Sequence, residues 1–366
     1  MPRIIILEAL EKEIRQRIKE SEKPIPIYGR SYREEDLYQL WSLEKHSHLQ
    51  LVAKVYRESE GIYLLLSGKK KVLWEKLEII PYLNEFTSRA QGIVDTAQLS
   101  EKLVSLIGLG SIGSVLALYL AQSSVGRFRL IDMDTFSASN VSRHACDMRY
   151  LGRYKTKAVG ELILNRNPKV CIETFEEDFL NLPFEIQMKR LDGSDLVIAS
   201  TDSTTCQFMI NEVCLELKIP SLYVGCYERA QASEVVFVIP GMTPCLNCLM
   251  EFRLENIEGI KRKKRRIPYS DEDPNGFQAE PGLAVDISYP TIVAAAYALA
   301  LLMPDSRRGV LLDPQRNLIL LHSGNQPQGK YAEIFKMPFD YLYGRAKRNK
   351  RCELCQSVHS QKGQQK

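Results

Sequence analysis

The residues of this chain whose types and spacing could do chemistry lie in a glycine turn, at the tip of one strand and in two cysteine pairs. Gly108, Gly110 and Gly113 form a Gly-x-Gly-x-x-Gly turn between an apolar stretch from 103 and an apolar-faced helix. Glycines at that spacing let the backbone turn sharply, approach a phosphate and pack the next helix on the sheet, so that amide N–H groups and the helix dipole meet an anion. Asp132 closes the following strand, where a carboxylate reaches ribose hydroxyls, and Asp134 follows it. The stretch therefore reads as a nucleotide site, without saying which nucleotide. Cys245-Leu-Asn-Cys248 and Cys352-Glu-Leu-Cys355 each offer two thiolates at zinc-binding spacing. Four thiolates leave Zn2+ no open coordination position, so a metal there is structural and pins the C-terminal end to the sheet.

These groups need a scaffold, and the pattern supplies one. From residue 103 strands and helices alternate, as in an α/β fold whose mainly parallel, Rossmann-like sheet is covered on both faces. A loop over 135–150 precedes a helix near 155–165, and strands are predicted near 170–175, 195–200 and 221–225, with a helix from about Thr204. Residues 234–240 and 317–321 predict an antiparallel extension of that sheet. Residues 251–290, polar and basic, read as a mobile crossover loop, and 291–303 as a buried thirteen-residue helix too short for a bilayer. Residues 1–95 read as a separate small α+β accessory or docking module, with a helix over 4–20 and a hairpin near 50–56 and 61–66. The main domain then runs 96–356, and the Gln-, Ser- and Lys-rich residues 357–366 are expected to be disordered.

Composition narrows the class. The 366 residues hold 49 basic and 45 acidic side chains, a net +4 too balanced to make nucleic acid the main partner. No signal peptide or membrane span is evident, and nine cysteines with two CxxC pairs suit a reducing compartment, so the chain is expected to be cytoplasmic. The basic run at 261–266, followed by Asp271, Glu272 and Asp273, is a solvated loop or a docking surface for an acidic partner.

Past Asp132 the motif becomes more specific. Asn140 and Arg143 in Ser-Asn-Val-Ser-Arg (139–143), Lys155 in Gly-Arg-Tyr-Lys (152–155) and Asp202 in Thr-Asp-Ser (201–203) follow in order. The set, from about 100 to 356, resembles the ThiF/MoeB family, whose relatives include the ubiquitin-activating enzymes; Ser203 stands where Asn is usual. The resemblance implies ATP-dependent adenylation of a carboxylate, with pyrophosphate leaving and charge neutralised along the phosphate chain. It assigns Asp132 to the ribose, Asn140 and Arg143 to the phosphates, Lys155 to the pentavalent transition state and Asp202 to Mg2+, with Asp134 in the nucleotide-binding set. It also places structural zinc at the two CxxC pairs. Arg89, at a spacing that departs from the usual one, matches an arginine lent to a partner subunit's ATP, which implies a homodimer.

The implied substrate is the C-terminal carboxylate of a ubiquitin-like or sulfur-carrier protein, with a conjugating enzyme as a further partner. Ser-Arg-His at 142–144 and 281–290 are similar to bacterial ubiquitin-like activating enzymes. Alternatives are adenylation of a ribosomal peptide, as in microcin maturation, an NAD-dependent oxidoreductase and a catalytically dead scaffold. No cysteine occurs between 249 and 351, where thioester-forming relatives carry theirs. Cys146, Cys171, Cys206 and Cys214 are expected to be buried, which leaves Cys226 as the weak candidate for a catalytic thiol. His144, beside Arg143, either approaches the phosphates or is packed.

Overall fold

A computed structural model describes residues 3–20, 23–32, 37–43, 50–58, 61–66, 71–80, 86–90, 92–249, 282–324, 330–344, 347–349 and 352–355. The basic run at 261–266, most of the expected crossover loop and the tail at 357–366 lie outside the described residues. The chain forms two compact units, Met1–Val94 and Asp95–Lys366.

The first unit is a sheet with one helix on it. Its strands are β1 (Arg3–Leu7), β2 (Ile25–Tyr32), β3 (Leu37–Ser42), β4 (Gln50–Glu58), β5 (Gly61–Leu66), β6 (Lys71–Leu73) and β7 (Glu78–Ile80), in the order β6-β5-β4-β2-β3-β1-β7. The expected hairpin is β4 against β5, with Tyr56 opposite Tyr63. The helix expected over 4–20 is corrected: it spans Glu8–Glu20, and residues 4–7 belong to β1. Three consecutive isoleucines are stiff at χ1 and suit a pleated surface, and β1 pairs with β3 and β7. Leu10, Ile14 and Ile18, one turn apart, then bury the helix face against Ile4, Ile6 and Ile27.

The second unit holds β8 (Leu103–Ile107), β9 (Arg127–Ile131), β10 (Cys171–Phe175), β11 (Leu196–Ala199), β12 (Ser221–Cys226), β13 (Ala232–Val238), β14 (Leu318–His322) and β15 (Tyr341–Gly344). Their order is β10-β9-β8-β11-β12-β13-β14-β15. The first five run parallel, and β13, β14 and β15 extend the sheet antiparallel. Every residue of β8, β11, β13 and β14 is buried, as expected of strands covered on both faces. The chain leaves β8 through the helix Ser111–Gln122 toward β9 and later returns to β11 on the other side of β8. The carboxyl ends of β8 and β11 therefore flank a topological switch point, where open α/β sheets leave a crevice for ligands.

Two expectations change here. The helix expected over 291–303 spans Ala284–Leu302 and takes in Pro290, so the crossover loop ends earlier than 290. At 19 residues and mean hydropathy 1.6 it is long and apolar enough to cross a membrane, which overturns the argument from shortness; 67% of its apolar window is buried within the chain. Cys171, expected to be buried, is exposed, because β10 is an edge strand whose burial alternates only partly.

Candidate active site

The glycine turn is built by contacts that leave no room for side chains. Gly108 has φ +87°, and a Cβ there would lie 2.9 Å from the Thr201 nitrogen. At Gly113 a Cβ would lie 2.0 Å from the Gly108 oxygen and 2.5 Å from Ser200 Oγ. The Ser200 hydroxyl donates to the Gly108 carbonyl at 2.6 Å, which ties the end of β11 to the end of β8. At Gly110, by contrast, a Cβ would meet nothing within 4 Å. Two substitutions should separate packing from ligand approach. Gly113→Ala should cost more than about 2 kcal/mol of stability, read by thermal unfolding. Gly110→Ala should change stability by less than about 1 kcal/mol yet weaken nucleotide binding, read by titration calorimetry.

Asp132 latches this turn to β9. Its Oδ2 accepts the Leu109 N–H at 2.6 Å and its Oδ1 accepts the Asp134 N–H at 2.8 Å. Burial raises its carboxyl above the ordinary carboxylate range, against the opposing pull of Lys155 and the two N–H donors. The next loop is zipped shut at its base. Phe136 N–H donates to Arg153 O at 2.8 Å, Gly152 N–H to Phe136 O at 2.9 Å and Lys155 N–H to Asp134 O at 3.0 Å. That closure starts the helix Lys155–Arg166 beside the tip of β9 and brings the Lys155 ammonium, 8% exposed, to within 2.6 Å of Asp134 Oδ2. A buried ammonium without an anionic partner is costly, so Asp134 holds this charge in place.

Asn140 and Arg143 ride on the loop between. The Asn140 Oδ1 accepts from the Ser137 N–H and hydroxyl, both at 3.0 Å, so its carbonyl end is committed and its amide is what it can offer an anion. Arg143 is half-buried and immediately precedes His144. The His144 Nε2–H donates to Leu109 O at 2.7 Å, while Nδ1 accepts the Cys146 N–H at 3.0 Å. Ser114, inside the glycine-turn helix, accepts the Ala145 N–H at 3.2 Å. Burial, with Lys155 adding repulsion, lowers the His144 pKa from 6.5 to about 4. The folded state therefore excludes a proton that the unfolded chain binds below its own pKa. Stability from this residue is complete above pH 6.5 and is lost as pH falls toward 4, by about 3 kcal/mol. Denaturant titrations from pH 7 to 4 should show that loss, and His144→Gln should flatten the slope.

Asp202 is exposed at the tip of β11, two residues beyond Ser200. Ser203, where the resemblance expects Asn, caps the helix Thr204–Leu217 by accepting the Cys206 N–H. The sheet thus sets the glycine turn, Asp132, Lys155 and Asp202 at the carboxyl ends of neighbouring strands, and His144 holds the Arg143 loop to the same turn. Arg89 lies on an exposed turn of the first unit. The latch from Asp132, the Asp134–Lys155 pair and the Ser114 contact were not foreseen from sequence, because each joins residues of separate elements.

The cysteine pairs converge. Sγ separations are 3.8 Å for Cys245–Cys248, 3.7 Å for Cys245–Cys352 and 3.6 Å for Cys248–Cys355, and all four sulfurs lie within 4.8 Å of one another. A tetrahedron with Zn–S bonds of about 2.3 Å has edges of about 3.8 Å, so the donor set fits zinc. Among the other thiols, burial raises Cys146 and Cys206 to about 12 and raises Cys214 further, which removes them as nucleophiles. Cys226 is half-buried at the end of β12, with Ser233 Oγ donating to its sulfur at 3.4 Å.

Comparison with known proteins adds to this geometry. The model of the ThiF family matches residues 84–303, more than half of the chain. Ubiquitin-like modifier-activating enzyme 5 of Arabidopsis thaliana is 28% identical over 196 residues, 50% of this chain and 46% of its own. The enzyme of that name from Dictyostelium discoideum is 29% identical over 190 residues, 49% of this chain and 50% of its own. The chain thus spans about half the length of the curated relatives it matches. Among solved structures, E. coli MccB with ATP superposes with TM-score 0.54 at 17% identity, covering 83% of this chain and 97% of that one. PaaA superposes with TM-score 0.55 at 19% identity, covering 73% and 84%. These two likenesses show a shared fold.

Proposed function

This chain belongs to the ThiF family, and from that premise we propose that it is an ATP-dependent adenylyltransferase acting on the C-terminal carboxylate of a ubiquitin-like or sulfur-carrier protein. The observation that carries the reading is the gathering of the glycine turn, the Asp132 latch and the buried Lys155 ammonium at one switch point of the sheet. In this reading the amides of the glycine turn and the amide of Asn140 receive phosphate oxygens, and Asp132 adds a ribose hydroxyl to the two N–H groups it already accepts. Arg143 and Lys155 neutralise charge on the phosphates as a carboxylate oxygen bonds to the α-phosphorus. The bond to pyrophosphate breaks and the electron pair leaves with it, so no protein nucleophile is needed. Asp202 would hold Mg2+, which supplies further charge neutralisation.

The lack of a cysteine between 249 and 351 supports a reaction that stops at the adenylate or hands it to a nucleophile on another protein, such as a conjugating enzyme. The active unit is proposed to be a cytoplasmic homodimer in which Arg89 serves the partner's ATP. Mixing Arg89→Ala with Arg143→Ala chains should then restore activity that neither has alone. The oxidoreductase alternative leaves Lys155 and Asp202 without a role and finds no support in the family match.

The direct test is ATP–pyrophosphate exchange with a candidate carrier whose C-terminus is intact or truncated. Exchange only with the intact carrier is the expected result; none with any carrier or peptide overturns the reading. A second reading, adenylation of a peptide C-terminus, fits one observation without being favoured by it. The likeness to MccB covers more residues than the second unit contains and so extends into the first. Exchange driven by a short peptide but by no folded carrier would select it.

A further inference from the structure

We propose that His144 is a positioning residue that carries no proton in the reaction: its neutral ring joins the glycine turn to the loop bearing Arg143 and so sets that guanidinium against the nucleotide. The inference rests on the adenylation reading for its consequence, and on geometry alone for its premise. Leu109, in the middle of the glycine turn, is gripped at both ends of its peptide units. Its N–H goes to Asp132 Oδ2 at 2.6 Å and its carbonyl receives the His144 Nε2–H at 2.7 Å. The first bond fixes the turn to the tip of β9, and the second fixes it to the residue directly after Arg143. Each residue of the run 144–146 is tied down. Ala145 N–H reaches Ser114 Oγ, inside the glycine-turn helix, and Cys146 N–H reaches the other nitrogen of the same imidazole. The ring packs on buried Phe136 with centroids 4.9 Å apart, and Phe136 is the residue whose backbone closes the base of the loop.

This arrangement determines the tautomer and with it the role. Leu109 O can only accept, so Nε2 bears the hydrogen; Cys146 N–H can only donate, so Nδ1 must offer its lone pair. Both ring nitrogens are thereby occupied by the backbone, and neither has a proton or a lone pair for phosphate or carboxylate. Protonating Nδ1 would set N–H against N–H and release the loop. The Lys155 ammonium, held by Asp134, adds its repulsion to that protonation, and Asp132 is the carboxylate on the other side of Leu109.

The two bonds can be separated by substitution. A glutamine amide reproduces a donor at the Nε2 position, whereas an asparagine amide reproduces a group at the Nδ1 position. His144→Ala and His144→Asn should each lower kcat/KM for ATP in the exchange reaction by about 10-fold or more, since a displaced Arg143 guanidinium weakens both nucleotide binding and charge neutralisation in the transition state. His144→Gln should recover most of that loss. An equal defect in the Gln and Ala variants, or no defect in the Ala variant, overturns the proposal. The premise has its own readout. Nitrogen-15 NMR of imidazole-labelled protein at pH 7, with the resonance assigned by its absence in His144→Gln, should show the neutral Nε2–H tautomer. An Nδ1–H tautomer or an imidazolium overturns it whether or not any exchange is seen. Absence of exchange by the parent chain instead counts against the adenylation reading, so the two failures are told apart.

Discussion

Arg143→Ala and Asp202→Ala should each lower carrier-dependent ATP–pyrophosphate exchange by two to three orders of magnitude, about 3–4 kcal/mol of transition-state stabilisation. The reason is electrostatic. In the proposed adenylation, negative charge accumulates on oxygens that already carry the charge of a triphosphate. Neither the neutral amides of the glycine turn nor water can neutralise it as a fixed cation does, whether the Arg143 guanidinium or the Mg2+ that Asp202 would hold. Arg143 sits on a loop pinned to the glycine turn through His144, and Asp202 sits at the tip of β11 beside the same turn. Asp202 is exposed and Arg143 half-buried, so both variants should keep the parent's unfolding temperature to within a few degrees. That makes loss of exchange interpretable as loss of chemistry. Lys155→Ala should lose as much activity, but it also strands the Asp134 carboxylate, so a stability loss should accompany it. Full exchange in both Arg143→Ala and Asp202→Ala would refute the site assignment.

The second large effect concerns the cysteine cluster. The purified chain should carry one zinc per molecule by elemental analysis. Replacing Cys352 and Cys355 together by Ser should remove it and lower the unfolding temperature by on the order of 10 °C, the shift expected for several kcal/mol in a domain of this size. The pairs stand far apart in sequence, so one ion closes a long loop and holds the C-terminal pair to a buried knuckle. That knuckle is itself braced. Leu246 N–H is accepted by Asn211 at 3.2 Å, and the Asn317 amide donates to Pro244 O at 2.9 Å. Arg348 adds to the bracing from the other pair, donating to Gly241 O at 3.2 Å and to Cys355 O at 2.5 Å. Cys245, Cys248 and Cys355 belong to the same apolar cluster as Ile210, Leu249 and Val236, so loss of the metal should loosen this part of the core as well as the C-terminus. A metal-free chain with unaltered unfolding in the presence of a strong chelator would refute the role.

Local signals carried much of what was legible. The glycine turn, the strand-helix alternation from 103 and the CxxC spacing are each written within a few residues, since backbone conformation, helical periodicity and metal-ligand bite are short-range properties. The order of Asp132, Asn140, Arg143, Lys155 and Asp202 identified the family for the same reason, one motif at a time. Where a residue's fate depended on distant partners, local pattern misled. Residues 4–7 share the helical periodicity of Glu8–Glu20, yet they pair between β3 and β7. The start of the helix Ala284–Leu302 was hidden by Pro290, which the buried helix accommodates. Cys171 looked like a core residue until its strand proved to be the edge of the sheet.

By itself, then, the order of residues determined which chemical groups the chain possesses and which strands and turns would present them. Only the folded sheet decided how they are used: that Asp132 grips Leu109, that Asp134 holds the Lys155 ammonium, that the imidazole of His144 is spent on backbone, and that four sulfurs close to tetrahedral spacing. Those outcomes depend on contacts between segments far apart in the chain, where burial makes an unpaired polar group costly and leaves one arrangement that satisfies them all.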